Sequence, residues 1–352
     1  MERRKFLRNI GIGSMALPLS TFGAPTSSDF EIFSEDFIIP DALQEGDTIG
    51  IVSPASAIFE SEPYEIAKES FEALGLKVEF GEFTRSRYGH LAGTDEQRAE
   101  ELMSMFRNKK IKAIIALRGG AGAARLLDKL DYAVIAKNPK IFIGYSDITA
   151  LHLAIHKQTG LVTFHGPVAV STWNSFATSY LKNLLFERKE VFYENPSEKG
   201  GLLTQTKNRI RTINPGTARG RLLGGNLSVL TGIMGSEYFP KDWTGKILYL
   251  EDVGEKIYAV DRMMSQLKLG GVLKEISGFV FGKCSDCDPG GNGYGSLTLE
   301  EVIDHYIKPL GIPAYSGAMI GHIDDNAMIP NGIMAEINAE KGTIKLLRPA
   351  VK

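Results

Sequence analysis

The feature that most constrains this chain is an alternation of apolar runs with helix-forming segments between residues 46 and 172. Runs such as IKAIIAL at 111–117 and KIFIG at 140–144 are each followed by a segment with helical spacing. Strands that are apolar throughout and alternate with helices are typical of a parallel sheet covered on both faces. We therefore predict a three-layer α/β domain over residues 46–172, with functional loops at the carboxyl ends of its strands.

The second half of the chain has a different pattern. Residues 216–348 contain short strand-like runs with frequent glycine, among them RGRLLGGN at 219–226 and KILYLED at 246–252. Helical stretches interrupt these runs, which favours a smaller, β-rich α+β domain. The mixed, polar residues 173–215 are expected to connect the two domains.

The N-terminus has the three parts of an export signal: a basic patch, a modest apolar stretch and small residues. The pair Arg3 and Arg4 is typical of a twin-arginine signal, which we place at residues 1–24, with a linker at 25–45. The alternative, an amphipathic helix of the mature fold, is weakened by its glycines and proline. The apolar run is shorter than the roughly 20 residues of a membrane span. We expect a periplasmic protein without a permanent span, or a cytoplasmic one if the signal is not used.

Composition excludes several classes of function. The 352 residues carry a formal net charge of −2, so no strongly basic surface argues for binding to nucleic acid. Cys284 and Cys287 are the two cysteines, and a four-cysteine zinc site would need a second pair. An oxidising compartment would allow a local disulfide between them. A thioredoxin-like motif would open a helix, whereas this pair leads into a loop. We favour two incidental thiols.

Two patterns suggest ligand sites but lack essential residues. The turn RGGAGAAR at 118–125 resembles a dinucleotide-binding loop, but Arg125 occupies the third glycine position and no acidic ribose-binding residue follows. His152 and His156 lie four apart on a predicted helix, which is a zinc-binding spacing, but Leu153 replaces the glutamate of the metalloprotease pattern. We expect neither a nucleotide cofactor nor a metal.

Ser146 lies in GYSD, at the bend between a predicted strand and a predicted helix. It can cap the helix, or it can be a nucleophile held on a tight turn. A nucleophilic serine needs a base and a group that orients the base. Glu251 at a strand end and His322 in the turn GHIDDN are candidates for these roles. The order serine, acid, histidine occurs in one hydrolase class, but order alone is weak support because triads recur in several orders.

Seven short segments carry a further signal: LAGTDEQR, RGGAGAARLL, IGYSDITAL, FHGP, LLGGNLS, LEDVGEKIYAVDRM and IGHIDDN. Together they resemble the LD-carboxypeptidase family, which contains murein tetrapeptide carboxypeptidases and microcin C self-immunity peptidases, and the similarity covers about residues 45–348. The resemblance implies a parallel-sheet domain carrying the nucleophile Ser146 and a β-rich domain carrying Glu251 and His322. It also implies a serine peptidase that needs no metal or cofactor, and we expect a homodimer.

The resemblance further implies a reaction. Ser146 would attack the bond before the terminal D-alanine of a murein tetrapeptide, His322 would take its proton, and Glu251 would orient the imidazole. The oxyanion would meet the backbone N–H of Asp147 and that of Gly119 or Gly120. Arg118 is a candidate for the substrate carboxylate by its position alone.

This chain departs from the family at two points. Ala121 occupies a position where the family usually has tyrosine, which affects substrate fit beside the site. The export signal is the second departure, because many relatives act in the cytoplasm on recycled wall peptides. Two alternatives stay open: an immunity-type peptidase that cleaves a peptidyl-nucleotide, and a wall-peptide binding protein without activity.

Overall fold

Strands and helices alternate along the described residues 37–197, 199–291 and 295–352 of the computed structural model, all within one compact unit. The strands are β1 (Thr48–Val52), β2 (Lys77–Phe80), β3 (Ile111–Ala116), β4 (Ile141–Gly144), β5 (Thr163–His165), β6 (Phe192–Tyr193), β7 (Arg211–Asn214), β8 (Thr217–Asn226), β9 (Ile247–Val253), β10 (Gly278–Ser285), β11 (Ala314–Ser316), β12 (Ile329–Asn331), β13 (Met334–Asn338) and β14 (Thr343–Leu346). The α-helices are α1 (Glu62–Glu72), α2 (Asp95–Arg107), α3 (Tyr132–Lys137), α4 (Thr149–Thr159), α5 (Ser175–Leu181), α6 (Leu227–Gly232), α7 (Ile257–Leu269), α8 (Val272–Glu275) and α9 (Leu299–Ile307). Short 3₁₀ turns cover Ala123–Lys129, Ser146–Ile148 and Lys308–Leu310, and a π turn covers Lys182–Phe186.

The first sheet has the order β12-β5-β4-β3-β1-β2, and its strands β1 to β5 are parallel. Its central strands are buried on both faces: Ile141 and Ile143 of β4 pack into one hydrophobic cluster, while Phe142 packs into another. Two-sided burial explains why β3 and β4 are apolar at nearly every position. The predicted parallel-sheet layer with helices is confirmed.

The second sheet has the order β6-β14-β13-β8-β9-β10-β11-β7. Its centre, β8 to β11, is parallel, and its outer strands pair antiparallel. The β-rich second half is confirmed, and its parallel centre is built from βα units. The domain boundaries at 46–172, 173–215 and 216–348 stay predictions.

Two contacts join the sheets near the carboxyl ends of their strands. β12, from the C-terminal part of the chain, pairs antiparallel with β5, so that Ile329 lies opposite His165. The backbone N–H of Asn226, at the end of β8, donates to the Thr149 hydroxyl at 3.0 Å, and Thr149 is the first residue of α4. These contacts bring the ends of β4, β5, β8 and β9 into one region.

A capping box opens α2. The Thr94 hydroxyl accepts from the Gln97 backbone N–H, and the Gln97 side chain accepts from the Thr94 N–H at 2.9 Å. One turn into the helix, buried Arg98 donates to the carbonyl oxygens of Pro54 at 2.7 Å and Gly122 at 2.9 Å. The start of α2 therefore holds the glycine-rich turn in place.

The expectation of two incidental thiols is wrong, because Cys284 and Cys287 form a disulfide. β10 ends in a tight turn in which Asp286 has a left-handed φ of 54°, and the turn brings the two Cα atoms to 5.4 Å. That separation lies within the usual range for a disulfide. Sequence spacing alone did not reveal this local turn.

The predicted export signal and residues 25–36 of the predicted linker lie outside the described residues. Within the part of the chain that the structure describes, no helix is long and apolar enough to span a lipid bilayer.

The disulfide predicts the thiol content of the purified protein. Protein purified without reductant and unfolded in denaturant is expected to show no thiol that reacts with Ellman's reagent. After reduction, both cysteines should react, because the chain has two. Two reactive thiols before reduction would contradict the disulfide.

Candidate active site

Ser146 is held in a strained conformation directly after β4. Tyr145 is extended, and Ser146 then has a φ of 64°, which is unusual for a residue with a side chain. Such strain costs about 1–3 kcal/mol and clusters at functional sites. Tyr145 is the N-cap of the 3₁₀ turn Ser146–Ile148, and Ile148 is the N-cap of α4, so Ser146 occupies neither capping position. The sharp bend therefore presents a hydroxyl that the helix does not use.

The glycine-rich turn after β3 packs against this serine. A Cβ on Gly119 would lie 2.9 Å from the Ser146 Cβ and 3.1 Å from its Oγ, so only glycine fits without displacement. Gly120 has a φ of 115°, and a Cβ there would lie 2.3 Å from the Ser56 Oγ. The Ser56 hydroxyl accepts from the backbone N–H of Ala121 at 3.0 Å. The turn thus brings backbone, without side chains, up to the serine.

The Asp147 side chain ties the serine bend to the glycine-rich turn. It is buried, and its Oδ2 accepts from the backbone N–H of Ala123 at 2.7 Å. Burial raises the pKa of the Asp147 carboxyl, while the Ala123 hydrogen bond and the Arg98 charge oppose that shift. Sequence reasoning assigned a role to the Asp147 backbone and missed this side-chain contact.

Glu251 and His322 are brought into direct contact from distant parts of the chain. The Nδ1–H of His322 donates to Oε2 of Glu251 at 2.8 Å, and the glutamate side chain is fully buried. The His322 ring also lies against Tyr145, with ring centroids 4.7 Å apart, and Tyr145 directly precedes Ser146. A Cβ on Gly321 would lie 3.0 Å from Glu251 Oε2, so glycine permits this close approach. The structure therefore gathers all three predicted catalytic residues at one end of the sheets.

Asp252 and Asn226, which sequence reasoning did not single out, support this arrangement. Asn226 lies opposite Glu251 in the β8–β9 pairing, and its side chain accepts from the Val229 N–H and so caps α6. Asp252 is buried and accepts from the Asn226 side chain at 3.0 Å and the Ser228 backbone at 2.9 Å. Both residues lie inside quoted segments, but their partners come from another strand, so one sequence gave no signal for them.

A cavity of about 290 Å³ opens beside His322. It is lined by Tyr145, Pro167, Val170, Ser171, Thr172, His322, Ile323, Asp324 and Asn326. Arg118, which is half-buried directly before the glycine-rich turn, donates to the Ala57 carbonyl at 3.4 Å. Burial raises the pKa of Tyr145, the Glu251 charge adds to that shift, and the Ser171 hydrogen bond and the Arg118 charge oppose it. No carboxylate in the described part of the chain forms an ion pair with Arg118.

The two histidines of the zinc-binding pattern have other contacts. His152 is fully buried, and its Nε2 lies 2.8 Å from the Gly144 carbonyl oxygen. His156 Nδ1 lies 3.3 Å from the Leu161 carbonyl oxygen. Across the described ranges, no group of three or more histidine, cysteine, aspartate or glutamate residues is arranged to hold a metal ion.

Comparison with known proteins places this chain in a family. Models of the LD-carboxypeptidase N-terminal and C-terminal domains match residues 49–166 and 219–337. The chain is 38% identical to a probable murein peptide carboxypeptidase of Bacillus subtilis, covering 86% of this chain and 92% of the relative. It is 30% identical to the microcin C7 self-immunity protein MccF of Escherichia coli, covering 86% and 94%.

Solved structures agree with this assignment. MccF in complex with glutamyl sulfamoyl guanosine matches with a TM-score of 0.79 at 29% identity, over 89% of this chain and 99% of that one. A muramoyltetrapeptide carboxypeptidase from Oxalobacter formigenes matches with a TM-score of 0.72 at 28% identity, over 85% and 97%. The fold and the matched family are thus those of a serine-type peptidase. The chain belongs to the LD-carboxypeptidase family.

The buried Asp252 predicts a pH dependence of stability. Burial raises the pKa of this carboxyl from its ordinary 3.8 to about 6, so the folded protein favours the protonated form. The protonated carboxyl therefore contributes its full share to the free energy of unfolding below about pH 3.8, and this share is lost as pH rises through about 6. We expect the unfolding free energy of wild type, minus that of Asp252→Asn, to fall by up to about 3 kcal/mol across this window. Urea unfolding at several pH values measures it, and a difference independent of pH would contradict the assignment.

Proposed function

We propose that the protein is a serine carboxypeptidase that releases the terminal D-alanine of a murein tetrapeptide by hydrolysing an LD-peptide bond. The observation that carries the proposal is the Glu251–His322 hydrogen bond beside the left-handed Ser146. The family and its murein carboxypeptidase members support the reaction class.

In the proposed mechanism, Glu251 sets the protonation of His322. A carboxylate can only accept, so the 2.8 Å contact requires the proton on Nδ1 and leaves the lone pair on Nε2. Nε2 then takes the Ser146 proton as the hydroxyl attacks the scissile carbonyl, and Glu251 stabilises the resulting imidazolium. The imidazolium returns the proton to the leaving amine of D-alanine, and water later hydrolyses the acyl-enzyme.

The oxyanion is proposed to form between two backbone N–H groups. Asp147 follows the nucleophile in the helical turn, and Gly119 or Gly120 lies across from it. The close approach of Gly119 to the Ser146 hydroxyl supports this placement. Preorganised donors of this kind are each worth about 10²–10³ in rate.

Recognition of a free C-terminus is proposed for Arg118. A carboxypeptidase must accept the substrate's terminal carboxylate, and an arginine without a carboxylate partner can bind it through two N–H groups. The Arg118 charge opposes the rise in the pKa of Tyr145, which lines the cavity beside His322, and this supports the role. Ala121, exposed where relatives usually carry tyrosine, leaves this edge more open.

The similarity to MccF keeps a second function open, an immunity-type peptidase acting on a peptidyl-nucleotide. Release of the nucleotide moiety from such a compound, without release of D-alanine from murein tetrapeptide, would favour it. A wall-peptide binding protein without activity is the remaining alternative, and peptide binding without turnover would support it.

Replacement of the nucleophile tests the function directly. Murein tetrapeptide incubated with wild type is expected to lose the mass of one alanine residue, as mass spectrometry detects. Ser146→Ala should lower the turnover number by about 10⁴–10⁶. Appreciable turnover by the variant, at wild-type stability, would remove Ser146 from its role.

Substitution of Gly119 tests the backbone side of the site. Gly119→Ala should lower turnover at least about 100-fold, because the added methyl displaces the serine or the oxyanion donors. Gly232→Ala is the matched control, since a Cβ there meets nothing within 4 Å. Equal activity of the two variants, measured as D-alanine release, would contradict the placement.

We also propose that the protein is exported through a twin-arginine route and assembles as a homodimer. The N-terminal pattern and the Cys284–Cys287 disulfide, which suits an oxidising compartment, support export. Replacing Arg3 and Arg4 with lysine should retain the protein in the cytoplasmic fraction, and unchanged periplasmic recovery would contradict the route.

Sedimentation equilibrium tests the proposed homodimer, and a monomer mass would refute it.

A further inference from the structure

A second histidine lies behind the Glu251–His322 pair. His165, at the end of β5, has its Nε2 3.9 Å from Oε1 of Glu251, and both side chains are fully buried. Neither of these two atoms has a hydrogen-bond partner in the part of the chain that the structure describes. An unsatisfied buried acceptor costs about 1–3 kcal/mol, and more when it is charged. The His165 Nε2 and the Glu251 Oε1 thus lie close to a hydrogen bond that would satisfy both atoms.

The surroundings of His165 hold it in place without occupying its Nε2. Its ring lies edge-on to Tyr249, with centroids 5.6 Å apart, and 6.4 Å from the ring of His152. The Tyr249 hydroxyl donates instead to the Asn331 side chain at 2.9 Å. His152 uses its Nε2 on the Gly144 carbonyl, so neither neighbour is engaged with Glu251.

His165 is suited to donate as a neutral group. Burial holds the pKa of His165 well below its usual range, and the neighbouring His152 and His322 add to the effect. A neutral imidazole carries one N–H and one lone pair. With its proton on Nε2, the neutral imidazole can donate to Oε1 of Glu251, while Oε2 remains the acceptor for His322.

We propose that His165 is a positioning residue of the active site, whose Nε2–H donates to Oε1 of Glu251. A shift of about 1 Å brings the two atoms to hydrogen-bond distance. The bond fixes the rotation of the carboxylate, so that Oε2 stays on His322 and the imidazole keeps its lone pair toward Ser146. The inference rests on the proposed serine mechanism and extends it to a third side chain behind the nucleophile.

Three variants of His165 separate positioning from packing. His165→Phe keeps a ring without a donor, His165→Gln places an amide N–H near the Nε2 position, and His165→Asn is the shorter control. We expect the Phe and Asn variants to lose about 10–100-fold in kcat with little change in KM, and Gln to recover at least about tenfold over Phe. If His165 only packs, the Phe variant should keep a higher kcat than the Gln variant, because a buried phenyl ring stabilises this apolar site better than an amide. Thermal unfolding of each variant records that stability order, and equal kcat for Phe and Gln would overturn the proposal.

Two further readouts keep this test independent of the substrate. The rate at which a fluorophosphonate probe labels Ser146 should follow the same order, Gln above Phe and Asn, whichever peptide is the natural substrate. In wild type, ¹⁵N spectra of labelled histidine should show His165 neutral with its proton on Nε2, and a proton on Nδ1 would overturn the proposal even if the variants do not fold. Absent turnover of murein tetrapeptide with intact labelling would refute the proposed substrate and leave this inference standing.

Discussion

The Glu251 carboxylate is completely removed from solvent, and a buried charge of this kind must be held by specific donors. His322 supplies one, from a loop about 70 residues later in the chain. Glu251 lies near the end of β9, opposite Asn226, the last residue of the neighbouring parallel strand β8. This pairing sets the position of the carboxylate. The second sheet therefore brings Glu251 and His322 to the edge of the first sheet where Ser146 follows β4.

The strain at Ser146 is offset by contacts on the opposite side of the bend. Asp147 accepts from the Ala123 N–H. Arg98 is fully buried and donates to two carbonyl oxygens, which would lose this donor if the residue were replaced. These groups connect the strand end, the glycine-rich turn and the start of α2. Rigid support of this kind keeps a nucleophile and its backbone donors in fixed geometry before substrate binds.

Local sequence patterns predicted much of the fold and pointed to the candidate site residues. The apolar runs of β3 and β4 predicted a buried parallel sheet. Contacts between distant segments were not readable: the pairing of β12 with β5, and the link from Asn226 to Thr149, depend on tertiary packing. The disulfide was missed because the left-handed turn at Asp286 has no strong sequence signal. The role of the Asp147 side chain was missed because its partner lies 24 residues away.

The measurement that tests the central claim most directly is peptide mapping after reaction with a fluorophosphonate probe. Such probes react with a serine only where a neighbouring base activates it, as in a Ser-His-acid arrangement. Our account predicts one adduct, on the peptide that contains Ser146, and its loss in His322→Ala. An adduct on another residue, or an active enzyme that is never labelled at Ser146, would contradict the account.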